Sequence, residues 1–135
     1  MIKLIIDTNR IMAALIRNGP SRALLFSKNF QFFTPYHALI EIAKHSEELC
    51  EKAHINSDEF ELLIDTLFEK ITTMQKENYI QFLNESQQMI KDKDDVPFIA
   101  LALALNADGI WSDDTDFQEQ KKFKVYTTKD MLGLL

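Results

Sequence analysis

The stretch from Lys91 to Phe117, KDKDDVPFIALALALNADGIWSDDTDF, decides how this chain folds. It begins with acids, runs apolar from Val96 to Leu105, and reaches a second group of acids after the short apolar segment Gly109 to Ser112. Pro97 suits the first turn of a helix, because its fixed φ favours that turn and its missing N–H would lack a partner there anyway. The pattern therefore predicts a helix followed by a short buried strand, with acids where the helix begins and where the strand ends.

The two groups of acids have an ordinary explanation when each is taken alone. Asp95 falls at the predicted N-cap of the helix, where a carboxylate meets free backbone N–H groups and the positive end of the helix dipole. The acids that follow the predicted strand are Asp113, Asp114 and Asp116, and an Asp-rich loop is usually a solvated turn. Because a helix–strand unit can bring its two ends together, we expect these acids to lie near one another.

Composition predicts one soluble domain over residues 1–135. Hydrophobic residues make up 46% and charged residues 27%, which are ordinary values for a globular protein. Cys50 is the one cysteine, so no internal disulfide can form and a reducing cytoplasm is the expected compartment. The beginning, MIKLIID, lacks the pattern of a signal peptide, and no apolar run approaches the about 18 residues of a membrane span. No membrane association is expected.

Strands are predicted to alternate with helices along the rest of the chain. The predicted strands other than Ile110–Trp111 are Ile2–Ile6, Phe32–Thr34, Ile71–Thr73 and Val125–Thr127. Ser21 is predicted to cap a short second helix, Asn56 to begin a helix with a capping box, and Thr128 to cap the terminal turn. This alternation predicts an α/β fold with three layers, α/β/α, around a central, mostly parallel twisted sheet of four or five short strands.

Acids from four segments are predicted to meet at one edge of that sheet. In parallel sheets ligands bind outside the carboxyl ends of the strands, and the helices begin at that same edge. Asp7 follows the first strand, Glu41 lies in the opening turns of a helix, and Asp95 begins another. Without the seven acids predicted for this cleft, the formal charge of the chain would be +1 rather than −6, so the net charge does not exclude a nucleic-acid partner. Those seven acids are Asp7, Glu41, Asp94, Asp95, Asp113, Asp114 and Asp116.

Such a cluster needs compensating charge. Two carboxylates about 4 Å apart repel by about 4 kcal/mol at an effective dielectric constant of about 20. Hard oxygen ligands favour one or two Mg²⁺ or Mn²⁺ ions, and His37, His45 and His54 are predicted to be ordinary surface or half-buried residues without the spacing of zinc ligands. Bound divalent ions can lower the pKa of a water molecule and stabilise charge on a phosphoryl oxygen. The predicted reaction is therefore hydrolysis of a phosphodiester or a phosphomonoester.

Four segments in order, IIDTN, PYHALIEIAKH, DDVPFIALALALNAD and WSDDTDF, closely resemble PIN-domain ribonucleases, and the resemblance covers nearly the whole chain. It implies that Asp7, Glu41, Asp95, Asp114 and Asp116 are the catalytic and metal-binding acids. It implies supporting positions at Thr8, Asn9, Ser112, Asp94 and Asp113. Ser112-Asp113 stands where Thr-Gly is usual, which leaves open whether Asp113 or Asp114 faces the metal. The neighbouring acid Asp94 leaves a similar question open for Asp95.

The resemblance also implies an activity and partners. The activity is endonucleolytic cleavage of RNA by metal-activated water, dependent on Mg²⁺ or Mn²⁺. Cations for the RNA phosphates are expected from Arg10, Arg17, Arg22, Lys91 and Lys93. Many small PIN proteins are toxins of toxin–antitoxin pairs, so a small antitoxin protein and a homodimer are further expectations from the family.

Three other readings remain open at this point. A phosphatase of the haloacid dehalogenase type also ends its first strand on Asp, but it needs a second Asp two residues later, where this chain has Asn9. A phosphate-receiver domain needs a phosphorylatable Asp after a middle strand, and the segment Ile71–Thr73 offers none. A PIN fold that binds RNA without cutting it would keep the same acids and differ only in activity.

Overall fold

The computed structural model describes residues 1–135 and contains one five-stranded parallel sheet. Its strands are β1 (Ile2–Ile6), β2 (Phe30–Pro35), β3 (Ile71–Met74), β4 (Gly109–Trp111) and β5 (Lys124–Tyr126). Their order in the sheet is β3-β2-β1-β4-β5, and every neighbouring pair is parallel. The predicted α/β fold is confirmed, with five strands and a sheet that is entirely rather than mostly parallel.

Eight helices connect and follow the strands. They are α1 (Thr8–Ile16), α2 (Pro20–Leu25), α3 (Tyr36–Lys44), α4 (Ser46–Ala53), α5 (Ser57–Phe68), α6 (Leu83–Gln87), α7 (Val96–Leu105) and α8 (Thr128–Leu132). Short 3-10 helices cover Lys76–Asn78, Ile80–Phe82 and Thr115–Glu119. None of the helices has the length and apolar character needed to cross a membrane.

The order of the strands places a change of winding direction between β1 and β4. From β1 the chain moves outward to β2 and β3 through α1 to α5, and then returns through α6 and α7 to β4 on the other side of β1. Parallel crossovers are almost always right-handed, so these two sets of helices cover opposite faces of the sheet. Ligands bind at such a switch point, outside the carboxyl ends of the strands.

Helix α7 and strand β4 form the centre of the core. Six of the ten residues of α7 are buried, and all three residues of β4 are buried. Trp111 is fully buried, and its ring centroid lies 5.5 Å from that of Phe32 on β2. The apolar run that separates the two acidic groups in the sequence therefore fixes both groups relative to the core.

Gly109 allows β4 and β5 to approach closely. A Cβ atom at this position would lie 2.7 Å from the backbone oxygen of Lys124 and 2.6 Å from the ring of Tyr126. Both distances are too short for carbon contacts, so only glycine fits here without a shift of the neighbouring strand.

Two predicted helix caps are wrong. Gly19 is the N-cap of α2 and Pro20 its first residue, so Ser21 is buried within the helix instead of capping it. The N-cap of α8 is Thr127, whose hydroxyl accepts a hydrogen bond from the backbone N–H of Asp130 at 3.1 Å. Thr127 and Thr128 are both residues that can cap a helix, but the hydroxyl of Thr128 is hydrogen-bonded to Trp111 and Asp113 instead. The capping box predicted at Asn56 is confirmed.

Candidate metal centre

Asp7 is the most deeply buried acid at the edge formed by the carboxyl ends of the strands. It follows β1, caps α1, and is 4% exposed. One carboxylate oxygen accepts a hydrogen bond from the backbone N–H of Arg10 at 3.0 Å, and the other accepts one from the hydroxyl of Ser112. Burial raises the pKa of Asp7, and the hydrogen bond from Ser112 is the largest influence that opposes this rise.

Ser112 connects Asp7 to the acids after β4. Its hydroxyl oxygen also accepts a hydrogen bond from the backbone N–H of Asp114 at 3.0 Å. A carboxylate oxygen of Asp114 in turn accepts one from the backbone N–H of Asp116 at 2.9 Å. The charge of Asp114 contributes to the raised pKa of Asp7. Asp7, Asp114 and Asp116 are therefore held in one hydrogen-bonded chain that crosses from β1 to β4.

Asp95 joins this group from α7. It occupies the predicted N-cap position, but its backbone is helical and its side chain makes no capping bond. Its Oδ2 atom is buried and has no hydrogen-bond partner. The pKa of Asp95 is raised to about 7, chiefly by burial and then by the charges of Asp92, Asp114 and Asp116, with a smaller effect from Asp7. The carboxylate points at other acids rather than at the helix terminus.

Two sets of side chains have ligand atoms close enough to share an ion. Oxygens of Asp92, Asp95 and Asp116 lie within 4.8 Å of one another, and so do ligand atoms of His37, Glu41 and Asp94. The first set contains two acids that were predicted for the site, Asp95 and Asp116. The second set brings in Glu41, whose Oε1 accepts a hydrogen bond from the Thr8 hydroxyl at 2.6 Å.

His37 and Asp92 lie at the site although the sequence did not predict a role for either. The Nε2 atom of His37 lies 3.7 Å from an oxygen of Glu41 and 3.7 Å from one of Asp94, and it is buried without a hydrogen-bond partner. His37 is half-buried, as one of the two predicted possibilities had it, but the sequence did not predict that it would lie between two acids. His37 and Glu41 are four residues apart on α3, a spacing that puts two side chains on one helix face, and this signal was present in the sequence.

Asp113 and Asp114 point to different places. The carboxylate of Asp113 lies 2.7 Å from the Arg10 guanidinium and accepts hydrogen bonds from the backbone N–H and the hydroxyl of Thr128, at 2.7 Å and 2.8 Å. Trp111 donates its ring N–H to the same hydroxyl at 3.1 Å. Asp113 therefore connects α1 to α8, whereas Asp114 lies beside Asp7.

The arginine and lysine side chains that are predicted to bind RNA lie in separate parts of the molecule. Arg22 donates hydrogen bonds to the backbone oxygens of Ala14 and Leu15, so it satisfies the last turn of α1. Arg10 pairs with Asp113, and Arg17 lines the same surface pocket as Arg10.

The other predicted supporting and RNA-binding residues line two further pockets. Asn9 is exposed in a pocket that also includes Thr8 and Glu41. Lys91 and Lys93 are exposed, and they line the cavity next to His37.

The geometry fits a hard divalent cation. A buried carboxylate oxygen without a partner is costly unless a proton or a cation satisfies it, and Asp95 Oδ2 is such an atom. The neighbouring ligands are mainly carboxylate oxygens, which suit Mg²⁺ or Mn²⁺. The acids reach this place from the ends of β1 and β4 and from the beginning of α7, as the sheet topology predicts.

A family model described as a PIN domain matches residues 5–131 of this chain. PIN domains are in general nucleases, and they typically use divalent metal ions. The comparison with curated proteins found no match. The match covers all four segments on which the resemblance rests, and it supports neither a phosphatase of the haloacid dehalogenase type nor a receiver domain.

Proposed function

This chain belongs to the PIN-domain family, and from that membership we propose that it is an endoribonuclease that hydrolyses phosphodiester bonds of RNA with the help of Mg²⁺ or Mn²⁺. The observation that carries the proposal is the unpartnered, buried Oδ2 of Asp95, in a carboxyl group that has a ligand atom within 4.8 Å of oxygens of Asp92 and Asp116. A fold does not retain such an atom for stability, because unsatisfied buried groups cost free energy. A cation bound there during function would satisfy this oxygen.

The residues proposed to hold one or two ions lie in two neighbouring groups, one around Asp95 and one around Glu41. They are Asp7, Glu41, Asp95, Asp114 and Asp116, with Asp92, Asp94 and His37 as neighbours whose ligand atoms are close enough to take part. A divalent ion bound there supplies an activated water molecule and stabilises charge on the phosphoryl oxygens. Asp113 is left out, because Arg10 and Thr128 occupy its carboxylate.

Other residues orient these acids. Ser112 and the backbone N–H of Arg10 hold the two oxygens of Asp7, so the carboxylate keeps one orientation. The Thr8 hydroxyl does the same for Glu41 at 2.6 Å. Hydrogen bonds of this kind also favour the ionised form that binds a cation. These contacts support the roles that the family resemblance implies for Thr8 and Ser112, and we include both residues in the proposal.

A cleavage assay on a structured RNA tests the proposal. Wild type is incubated with Mg²⁺, with Mn²⁺ and with EDTA, beside Asp7→Asn and Asp114→Asn. Loss of one ligand should lower the rate at least about 100-fold, because the transition state loses several kcal/mol of charge stabilisation. Asp65→Asn is the matched control, because Asp65 is an exposed acid on α5 outside the cluster. Cleavage that persists in both site variants would contradict the proposal.

The toxin role is a further part of this proposal and comes from the family resemblance. A small antitoxin protein would hold the nuclease inactive, and the nuclease itself would form a homodimer. Induced expression of wild type should stop bacterial growth, whereas Asp7→Asn should not. Light scattering after size-exclusion chromatography measures the oligomeric state, and a monomeric mass would contradict the dimer.

A further inference from the structure

We propose that the cavity beside the acidic cluster is a subsite for one unpaired base of the RNA substrate, an inference that rests on the proposed function. The cavity has a volume of about 790 Å³. It lies between the beginnings of α3 and α7, the segment after β3, and α6. Ligand sites typically have volumes of about 300–1,000 Å³, so a base and part of its sugar fit within it.

The walls of the cavity are aromatic and aliphatic. Tyr36 and Ile40 lie at its opening and are 44% and 43% exposed, so the fold leaves two large hydrophobic side chains uncovered there. Tyr79 is 4% exposed and forms a fixed part of the wall. Bases stack on aromatic side chains with little dependence on sequence, because every base has a π-face. Tyr36 is the ring that is free to stack.

The charges around the cavity favour a nucleic acid over an apolar protein segment. Lys76, Lys91 and Lys93 line it, and no acid does, although the chain as a whole carries a formal net charge of −6. Three ammonium groups around an apolar cavity complement phosphates that flank a stacked base. An apolar peptide carries no negative charge that could pair with these lysines.

The cavity is continuous with the acidic cluster. His37 lines the cavity, and its Nε2 atom lies 3.7 Å from Glu41 and 3.7 Å from Asp94. Val96 and Pro97 also line it and directly follow Asp95. A base in the cavity would therefore belong to a nucleotide near the bond to be cut. Because a paired base cannot leave its duplex without cost, the substrate should be single-stranded at that nucleotide.

Binding of a fluorescein-labelled oligouridylate, measured by fluorescence anisotropy, tests the subsite. All proteins carry Asp7→Asn and are measured in Mg²⁺, so that the RNA is not cut. Tyr36→Ala should raise the Kd about tenfold, the size expected from loss of one stacked base. Tyr36→Phe keeps the ring and should bind as its parent does. A thermal melt checks that each variant is folded.

Charge and strandedness are tested in the same assay. Lys91→Ala/Lys93→Ala should weaken binding and reduce its salt dependence, because two phosphate contacts are lost. Lys121→Ala/Lys122→Ala removes the same charge from two exposed positions outside the cavity and should leave the Kd within about twofold. Oligouridylate with 4-thiouridine should crosslink to Tyr36 or Tyr79, and a blunt duplex should bind more weakly than the single strand.

The results separate the subsite from the nuclease. An unchanged Kd in Tyr36→Ala, equal binding of single strand and duplex, or no RNA binding at all would overturn the subsite. If wild type cuts RNA but Tyr36→Ala binds and cuts equally well, the nuclease stands and the subsite falls. If no RNA is cut under any condition but Tyr36→Ala binds more weakly than Tyr36→Phe, the subsite stands and the nuclease falls.

Discussion

The guanidinium of Arg10 lies 2.7 Å from the carboxylate of Asp113, and this ion pair joins α1 to the loop that follows β4. Thr128 donates two hydrogen bonds to the same carboxylate, so Asp113 has a structural partner on each side. Its neighbour Asp114 has none of these contacts and lies beside Asp7. Asp113 and Asp114 are therefore adjacent acids with different surroundings: Asp113 makes structural contacts, and Asp114 lies at the proposed metal site.

Asp113→Asn should lower stability and largely retain cleavage, whereas Asp114→Asn should lower cleavage and retain stability. Asp113→Asn weakens the ion pair with Arg10 and should lower the free energy of unfolding by about 1 kcal/mol, with cleavage largely retained. Asp114→Asn should keep the thermal midpoint and lower the cleavage rate at least about 100-fold. Urea melts and initial cleavage rates measure the two quantities. Equal loss of activity in both variants would contradict this division.

Asp95→Asn should change how the stability of the metal-free protein depends on pH. The pKa of Asp95 is raised from 3.8 to about 7, so between these values the unfolded chain has lost its proton and the folded protein has kept it. The free energy of unfolding therefore falls as the pH rises from about 4 to about 7, and is constant above that range as far as this group is concerned.

Asn cannot ionise, so Asp95→Asn should match wild type near pH 4 and be more stable near pH 8. A difference of about 1–2 kcal/mol is expected at pH 8, because solvent screens part of the shift at this half-buried carboxyl. Urea melts in EDTA at several pH values measure it, with Asp65→Asn as the control. A variant that is less stable than wild type at pH 8 would contradict the expectation that burial and the neighbouring charges disfavour the ionised carboxylate.

Ser112→Ala should destabilise the protein and raise the pKa of Asp7 further. The lost hydroxyl leaves one buried carboxylate oxygen without a donor, at a cost of about 1–3 kcal/mol. Because that hydrogen bond favours the ionised form, the rise of cleavage with pH should move to higher pH. The pH profile of the cleavage rate measures this shift. An unchanged profile would mean that protonation of Asp7 does not limit activity.

Mn²⁺ should raise the thermal midpoint of wild type, because an ion that binds only the folded state stabilises it. The increase should be larger at pH 8 than at pH 5, since ligand carboxylates must lose their protons before an ion binds. Asp95→Asn should reduce the increase, and Asp65→Asn should not. Differential scanning fluorimetry over a Mn²⁺ titration gives both results. Equal stabilisation of all three proteins would indicate non-specific binding.

Gly109→Ala should destabilise the sheet by about 1–3 kcal/mol, because a Cβ atom there would press against the backbone of Lys124 at 2.7 Å. Gly19→Ala is the matched control. A Cβ atom at Gly19 would meet only the side chain of Arg17, at 3.2 Å, and that flexible side chain can move aside. Thermal melts compare the two. An unchanged thermal midpoint in Gly109→Ala would contradict the close approach of β4 and β5.

The sequence predicted the fold because its signals are local and strong. The apolar run of α7 begins directly after Asp95 and the strand β1 ends directly before Asp7, so the order of these segments indicates the sheet edge where acids meet. The family resemblance implied the same acids. The convergence of Asp7, Asp95, Asp114 and Asp116 agrees with both lines of reasoning.

What the sequence did not predict depends on side-chain direction. Asp113 and Asp114 are neighbours with the same side chain, and only the position of Arg10 across the edge decides which of them it pairs with. His37 reaches the acids because α3 turns that face toward the loop before α7. Thr127 rather than Thr128 caps α8, because Trp111 and Asp113 contact the hydroxyl of Thr128. Each outcome is set by a tertiary contact that local propensity does not contain.

Six buried residues anchor α7, and the helix begins directly after Asp95. The backbone at Asp95 is thus tied to the core, which keeps its carboxyl group beside the neighbouring carboxylates. A hydrogen ion or a divalent cation can neutralise the repulsion between these carboxylates, and the two compete for one position. Low pH should accordingly oppose metal binding at Asp95, and the surrounding fold should not change.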